Sequence, residues 1–200
     1  MGEEQTAFDA VVVGTGPAGL TSAIALASAG FEVAAIGPQA PDDHRTSALL
    51  ASSVTALTTL GVWERCQAQS APLRTLRIVD DTARLFRAPE ARFDADEIGI
   101  EAFAWNIANR HLVDALEARA AEIPSLRRID SIATDAVPDQ RRVRVQAEGR
   151  TFDAALAVGA DGARSICRQA AGIAISRTEY PQIALTFNVT HSRQHLDIST

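Results

Sequence analysis

The chain has 200 residues, a formal net charge of −6, and 46% hydrophobic and 22% charged residues. This composition is typical of a globular protein with a sizeable core, and it excludes collagen-like and disordered chains. The acidic balance argues against nucleic acid as a partner, because Lys and Arg carry the binding to phosphates. No apolar run approaches the roughly 20 residues that span a bilayer. The two cysteines, Cys66 and Cys167, form no metal-binding pair, which favours a reduced, cytoplasmic location.

The first 37 residues predict a strand, a helix and a second strand. FDAVVVG (8–14) is a nearly continuous β-branched run that ends at glycine, as buried strands do. PAGLTSAIALASAG (17–30) has proline in the first turn of a helix and glycine at its end. FEVAAIG (31–37) is the next strand. Such a unit joins two parallel strands by a right-handed crossover, so we expect an α/β fold with a doubly wound, Rossmann-like sheet.

The sequence after residue 37 predicts helices and short antiparallel strands. The predicted helices are RTSALLASSVTALTTLG (45–61), NRHLVDALEARAAEI (109–123) and the short ARSICRQAAG (163–172). The predicted strands are short alternating segments within 75–106, a meander over 141–162 that leads into a buried strand at 154–158, and IALTFNVT (183–190). The short strands indicate an antiparallel piece beside the parallel sheet.

The glycines of GTGPAG each meet a separate steric demand. Gly14 lets the chain leave the strand in a sharp turn, Gly16 lets a pyrophosphate approach the backbone, and Gly19 lets the helix pack closely on the sheet. Pro17 and Ala18 begin the helix, whose exposed N–H groups and dipole favour a diphosphate. Because the motif follows a strand and begins a helix, we predict dinucleotide binding rather than a purely structural turn.

One part of the usual dinucleotide pattern is missing. An Asp or Glu at the end of the second strand normally accepts a hydrogen bond from a ribose hydroxyl. Gly37 stands at that place here, and Glu32 lies at the wrong end of the strand. Gln39 and Asp42 are the alternatives that remain open, so the ribose contact is unassigned.

A second motif separates FAD from other dinucleotides. VGADGARSICRQAAGI (158–173) resembles the Asp-Gly signature of class A flavoprotein monooxygenases, with Asp161 and Gly162 at the turn after a strand and Ser165 and Arg168 on the following helix. The alternative is an ordinary strand–turn–helix in which Asp161 caps the helix.

Two further segments are similar to the same family. HRTSALLASSVTALTTLGVWE (44–64) resembles the segment in which an arginine, here Arg45, approaches the flavin. NIANRHLVDAL (106–116) resembles the segment whose arginine, here Arg110, lies near the ribityl and phosphate part of the flavin. The alternative for both side chains is a solvated surface position.

The resemblance is strongest to the ubiquinone-biosynthesis hydroxylases, the branch that includes the 2-polyprenylphenol hydroxylases, and it extends over essentially the whole chain. It implies FAD as cofactor, NAD(P)H as co-substrate, O2 as oxidant, and hydroxylation of a phenolic ring such as a ubiquinone precursor. The chemistry of this family belongs to the cofactor, so we predict no catalytic side chain and no metal. An apolar substrate further implies peripheral association with the inner membrane or with a biosynthetic complex.

We expect residues 1–72 and 107–175 to form the FAD-binding domain, and residues 73–106 and 176–200 to form part of an antiparallel substrate domain. Family members carry a later Gly-Asp motif, so we expect this chain to be the N-terminal part of a hydroxylase. Two other functions stay open: an NAD(P)-dependent dehydrogenase or flavin reductase without oxygenation, and a non-catalytic fragment that no longer holds FAD. His191 and His195 stand beside no acidic cluster, which argues against a metal site, and His44 is expected in an exposed loop.

Overall fold

The computed structural model describes residues 5–39, 43, 45–185, 187 and 189–200. The strands, in chain order, are β1 (Gln5–Val13), β2 (Val33–Gly37), β3 (Thr46–Leu50), β4 (Ser70–Leu73), β5 (Thr75–Ile78), β6 (Ala91–Asp94), β7 (Ala104–Ala108), β8 (Leu126–Asp130), β9 (Ala133–Pro138), β10 (Val143–Ala147), β11 (Arg150–Gly159) and β12 (Ile198–Ser199). The helices are α1 (Pro17–Ser28), α2 (Ala51–Thr59), α3 (Trp63–Cys66), α4 (Asn109–Ala120) and α5 (Ile166–Ala170), with 3-10 turns at Gln67–Gln69 and Ala95–Ile98.

The central sheet has six strands in the order β8-β2-β1-β11-β10-β9. Strands β8, β2, β1 and β11 are parallel, whereas β10 and β9 extend the sheet as an antiparallel meander. The predicted strand–helix–strand unit and its parallel pairing are confirmed. Because the four parallel strands run in one direction, their carboxyl ends meet at one edge of the sheet, where ligands bind in open α/β sheets.

Both faces of this sheet are covered, which explains the continuous apolar run of β1. Val12 lies in a buried cluster with α1 and α4 on one face, and Val11 lies in a second buried cluster on the other face, against which α5 packs through Cys167 and Ala170. Leu20 of α1 and Leu116 of α4 are fully buried in the first of these layers, and such burial stabilises by about 2 kcal/mol per side chain. The helices therefore hold the carboxyl edge of the sheet in a fixed position.

Two smaller sheets complete the structure. One has the order β3-β7-β4 and the other β12-β5-β6, and apart from the parallel pair β12–β5 their strands are antiparallel. The predicted α/β class, with antiparallel pieces beside a parallel sheet, is confirmed, whereas the predicted division into two domains stays a prediction. No helix in the described part of the chain has the length and apolarity needed to cross a bilayer.

Two predicted elements are wrong. The helix predicted over 45–61 begins only at Ala51, because Thr46–Leu50 pairs with β7 as strand β3 and alternates between exposed and half-buried residues. The strand predicted over 183–190 is not found among the residues of that segment that the structure describes, and Ile183 and Leu185 are exposed. Alternating apolar residues form a strand only where a neighbouring strand accepts the hydrogen bonds. Strands β8 and β9 were not predicted.

Candidate functional site

The glycine loop between β1 and α1 is shaped by close backbone contacts. Gly14 has φ +107°, and a Cβ there would lie 2.2 Å from the carbonyl oxygen of Ala160. A Cβ on Gly19 would lie 1.9 Å from the carbonyl oxygen of Gly14. A Cβ on Gly16, by contrast, would meet no atom within 4 Å. Gly14 and Gly19 therefore allow the turn to form, and Gly16 leaves open space in front of it.

The N-terminus of α1 faces this space. Gly16 is the N-cap residue and Pro17 the first helical residue, and no side chain in the described part of the chain caps the helix. The first N–H groups of an α-helix have no partner within the helix, and the helix dipole adds about half a positive charge there. The N–H groups of Ala18 and Gly19, in this first turn, are therefore suited to an anion.

A cleft of about 600 Å³ opens beside the loop, at the carboxyl edge of the parallel strands. It is enclosed by the ends of β1, β2 and β11, the start of α5, and the segment that follows β8. The lining residues are Val13, Gly14, Thr15, Gly16, Ile36, Gly37, Pro38, Ile132, Ala133, Ala160, Asp161, Gly162, Arg164 and Ile166. The walls are mainly apolar, as ligand sites usually are, with one carboxylate and one guanidinium among the lining side chains.

Asp161 follows β11 and binds the first backbone amides of α5, whose N-cap residue is Ser165. Its Oδ2 accepts hydrogen bonds from the amides of Ile166 (2.7 Å) and Cys167 (3.2 Å). Burial raises the pKa of the Asp161 carboxyl, but hydrogen bonds from Ser165 and these backbone amides outweigh it, so the net pKa is lowered. Its Oδ1 is buried and has no hydrogen-bond donor among the described residues. An ionised acceptor of this kind, beside a cleft, is suited to a hydroxyl or N–H of a ligand.

The glycine at the end of β2 has a steric reason that the sequence did not reveal. A Cβ on Gly37 would lie 2.4 Å from Thr15 Oγ1 and 2.9 Å from the Thr15 amide nitrogen. Thr15 is buried, and its hydroxyl donates to the carbonyl oxygen of Pro38 at 3.0 Å. The carboxylate that usually binds the ribose is therefore replaced by a close contact between β2 and the glycine loop.

Arg45 and Arg110 lie next to the start of β3 and in the first turn of α4, and a backbone hydrogen bond links these two segments. The backbone N–H of Asn109 donates to the carbonyl oxygen of Arg45 (2.9 Å). The Arg45 side chain is 75% exposed and donates through Nε and Nη2 to Asp43 at 2.9 and 2.8 Å. These bonds, with one from Asn109 Nδ2, hold the pKa of Asp43 well below its usual range. Neither arginine is among the described residues that line the cleft.

The other polar candidates lie apart from the cleft. The backbone N–H of Gln39 donates to Asp130 Oδ1 at 3.0 Å. Gln39 and Asp130 line a second pocket, separate from the cleft. Asp42 and His44 lie outside the described residues. The rings of His191 and His195 are 6.0 Å apart, edge to face, and no group of three metal-ligating side chains occurs in the part of the chain that is described.

Sequence reasoning missed Thr15, Arg164 and the apolar wall of Ile132, Ala133 and Ile166. Ile132 and Ala133 follow β8, which was not predicted although LRRID (126–130) comes directly after a helix, as a parallel strand does in α/β folds. The residues present fit a ligand that carries a diphosphate and hydroxyl groups. An open backbone cradle at a helix N-terminus suits the diphosphate, and a buried, unsatisfied carboxylate oxygen suits a hydroxyl.

Comparison with known proteins agrees with this description. A family model described as an FAD binding domain matches residues 7–198. The chain is 32% identical to ubiquinone hydroxylase UbiL of Rhodospirillum rubrum, over 97% of this chain and 46% of that protein. It is 32% identical to 3-demethoxyubiquinol 3-hydroxylase of Escherichia coli, over 89% of this chain and 47% of that protein. The chain thus spans about half the length of the curated relatives it matches.

Solved structures show the same fold. The flavin-dependent monooxygenase PieE, in complex with FAD and substrate, gives a TM-score of 0.70 at 23% identity, over 85% of this chain and 33% of that one. The p-nitrophenol 4-monooxygenase PnpA of Pseudomonas putida gives a TM-score of 0.68 at 19% identity, over 84% of this chain and 44% of that one. The family model and the curated relatives confirm the predicted resemblance to the class A flavoprotein monooxygenases of the ubiquinone pathway, and the chain belongs to the FAD binding domain family, with FAD as its cofactor.

Proposed function

We propose that this chain supplies the FAD-binding part of a monooxygenase that hydroxylates a phenolic ring, with NAD(P)H as reductant and O2 as oxidant. The observation that carries the proposal is the open glycine loop at the start of α1, within a chain that matches an FAD binding domain over residues 7–198. The relatives named as ubiquinone hydroxylases support a ubiquinone precursor as the substrate.

The diphosphate of FAD is assigned to the glycine loop. Gly16 leaves the room for it, since a Cβ there would meet nothing within 4 Å. Pro17 begins α1, and the N–H groups of Ala18 and Gly19 donate to the phosphate oxygens. Gly14 holds the turn that aims these groups at the cleft.

Asp161 and Gly162 are assigned to the opposite wall of the cleft. Asp161 Oδ1, buried and without a donor among the described residues, accepts a hydrogen bond from a hydroxyl of the cofactor. Gly162 has φ +78°, and a Cβ there would meet nothing within 4 Å, so the turn stays open toward the ligand. From the family resemblance, we assign Arg45 to the flavin ring and Arg110 to the ribityl and phosphate part of the cofactor.

When bound, FAD takes electrons from NAD(P)H and activates O2, and the chain binds, orients and shields it. The apolar walls formed by Val13, Ile36 and Ile166 exclude water from the bound nucleotide. No side chain of the chain is assigned as a catalytic nucleophile. We assign residues 73–106 and 176–200 to the substrate side and the rest to the cofactor side. A quinone precursor is strongly apolar, so we further propose that the whole protein works in the cytoplasm, at the membrane surface or within a biosynthetic complex.

The first test is binding. We expect the purified chain to take up FAD with quenching of flavin fluorescence, and the Gly16→Val variant to fail. A parent chain that is colourless after incubation with FAD and removal of unbound FAD by gel filtration contradicts the proposal and supports a non-catalytic fragment.

The second test is the reaction. The FAD-loaded protein is reduced anaerobically with NADH or NADPH, mixed with a short-chain polyprenylphenol and exposed to air, and the products are analysed. Hydroxylated phenol supports the proposal. Nicotinamide oxidation that yields only hydrogen peroxide supports a flavin reductase instead.

A further inference from the structure

The turn that follows β2 is held by one arginine from the neighbouring strand. Arg128 Nη1 donates to the carbonyl oxygens of Gly37 (2.6 Å) and Ile129 (2.8 Å), and its Nη2 donates to the carbonyl oxygen of Pro38 (3.2 Å). Arg128 Nε pairs with Glu117 Oε1 of α4 at 3.1 Å. The Arg128 side chain is only 23% exposed, so these bonds are partly shielded from water.

The carbonyl oxygens of Gly37 and Pro38 have no capacity left. Besides Arg128, the Pro38 oxygen accepts from Thr15 Oγ1 (3.0 Å), and the Gly37 oxygen accepts from the amide of Ser131 (3.4 Å). A carbonyl oxygen has two lone pairs, and each is used here. These two carbonyl oxygens are therefore not available to a ribose hydroxyl.

An Asp or Glu side chain at position 37 cannot accept the hydrogen bond of the ribose hydroxyl either. The space that its Cβ needs is filled by Thr15, at 2.4 Å from Oγ1. The carboxylate of Asp130, which pairs with Gly37 in the sheet register, already accepts from the backbone amide of Gln39 through Oδ1. Gln39 itself lines the pocket on the Asp130 side. Position 37 thus differs from the usual dinucleotide site in geometry as well as in residue type.

We propose that Arg128 is a positioning residue that fixes the turn 37–39 under the adenosine of the cofactor, and that this site does not recognise the ribose 2′-hydroxyl. The inference rests on the proposed function, since it needs FAD to bind along the carboxyl edge of the sheet. Arg128 acts through the backbone of the turn, which Thr15 of the glycine loop contacts at the carbonyl oxygen of Pro38. Affinity then comes from the diphosphate and the apolar walls.

The parent chain tests the specificity with two probes, ADP and 2′-deoxyADP. A ribose hydroxyl bound to a carboxylate would make the deoxy compound about tenfold weaker or more, because hydrogen bonds to charged groups are among the strong ones. We expect calorimetric dissociation constants for the two probes that agree within about twofold.

The variant Arg128→Met tests the positioning role, with Arg119→Met as the matched control. Arg119 is 27% exposed, donates to the carbonyl oxygen of Leu60 (2.9 Å) and pairs with Glu122 (3.4 Å), away from the cleft. Both variants lose a guanidinium bound to a carbonyl and a carboxylate, so both melt at lower temperature. We expect only Arg128→Met to weaken ADP binding, by about tenfold, when both are measured well below their melting temperatures.

The outcomes are separable. A parent that binds neither FAD nor ADP overturns the proposed function and this inference with it. A parent that binds FAD but prefers ADP to 2′-deoxyADP by more than fivefold overturns the inference alone. Equal ADP affinities for Arg128→Met and Arg119→Met, both folded, show that Arg128 is only structural and also overturn it.

Discussion

Replacing Gly16 by valine separates the effect on FAD binding from the effect on folding. A Cβ at Gly16 meets no atom within 4 Å, and its φ of −72° and ψ of −179° are open to valine. The apo protein should therefore lose no more than about 1 kcal/mol, the scale of a poorer N-cap residue. In the complex, however, the valine methyl groups occupy the space assigned to the diphosphate. Loss of two charge-assisted hydrogen bonds weakens FAD binding by at least about 100-fold.

The assay is a titration with FAD, followed by flavin fluorescence, beside urea unfolding of the same samples. Ala29→Val, at the exposed opposite end of α1, is the control and should bind FAD as the parent does. If the dissociation constant of Gly16→Val for FAD lies within threefold of that of the parent, the placement of the diphosphate is refuted. Gly16→Val that loses several kcal/mol of stability refutes the claim that the space is open.

Four further outcomes follow from the contacts around the cleft. Gly19→Ala should lower the free energy of unfolding by about 2 kcal/mol or more in urea, because its Cβ would lie 1.9 Å from the carbonyl oxygen of Gly14; unchanged stability contradicts this packing. Gly37→Glu should destabilise similarly without tightening ADP binding, and a gain in calorimetric affinity would show that the position accepts the usual acid. The pKa of Asp161 is lowered in the folded chain, so its ionised form stabilises the fold at pH values above the unfolded pKa of about 4. This contribution is lost as the pH falls through the folded pKa. The free energies of unfolding of the parent and of Asp161→Asn in urea should therefore differ at pH 7 and converge toward pH 3. Burial, with the nearby Asp161 charge, raises the pKa of Cys167 to about 11. Iodoacetamide at pH 8 should therefore alkylate Cys167 far more slowly in the native chain than in urea. Equal alkylation rates would contradict this.

The elements that the sequence predicts well are those whose signals are local. The β-branched run before Gly14 and the Pro17 that begins α1 need no distant partner to be interpreted. The steric role of Gly19 is also local, because its Cβ would meet the carbonyl group of Gly14 in the same motif, whereas the space beside Gly14 is filled by Ala160 from the turn after β11. Asp161 and Gly162 were found in the same way, at the end of a strand.

The errors occur where tertiary pairing decides. Leu49 and Leu50 fit a helical spacing with Val54, but pairing with β7 places them in strand β3. The apolar alternation of 183–190 has no neighbouring strand in the described structure, and it leaves Ile183 89% exposed. Propensity and periodicity are weak guides when partner strands supply or withhold hydrogen bonds.

The part of the site near β2 was not predictable from local sequence. Thr15 fills the space beside Gly37, yet the two residues are 22 positions apart and belong to different turns. Arg128 reaches the same turn from β8, some 90 residues away. The absence of an acid at Gly37 was visible in the sequence, but its cause is a contact that only the fold creates.

The most direct test of the central claim, that the cofactor diphosphate lies on the amides at the start of α1, is an NMR titration of the ¹⁵N-labelled chain with FAD. The account predicts that the amide signals of Gly16, Ala18 and Gly19 shift most strongly and that the shifts disappear in Gly16→Val. Binding of FAD that leaves these three amides unmoved while others shift would contradict it.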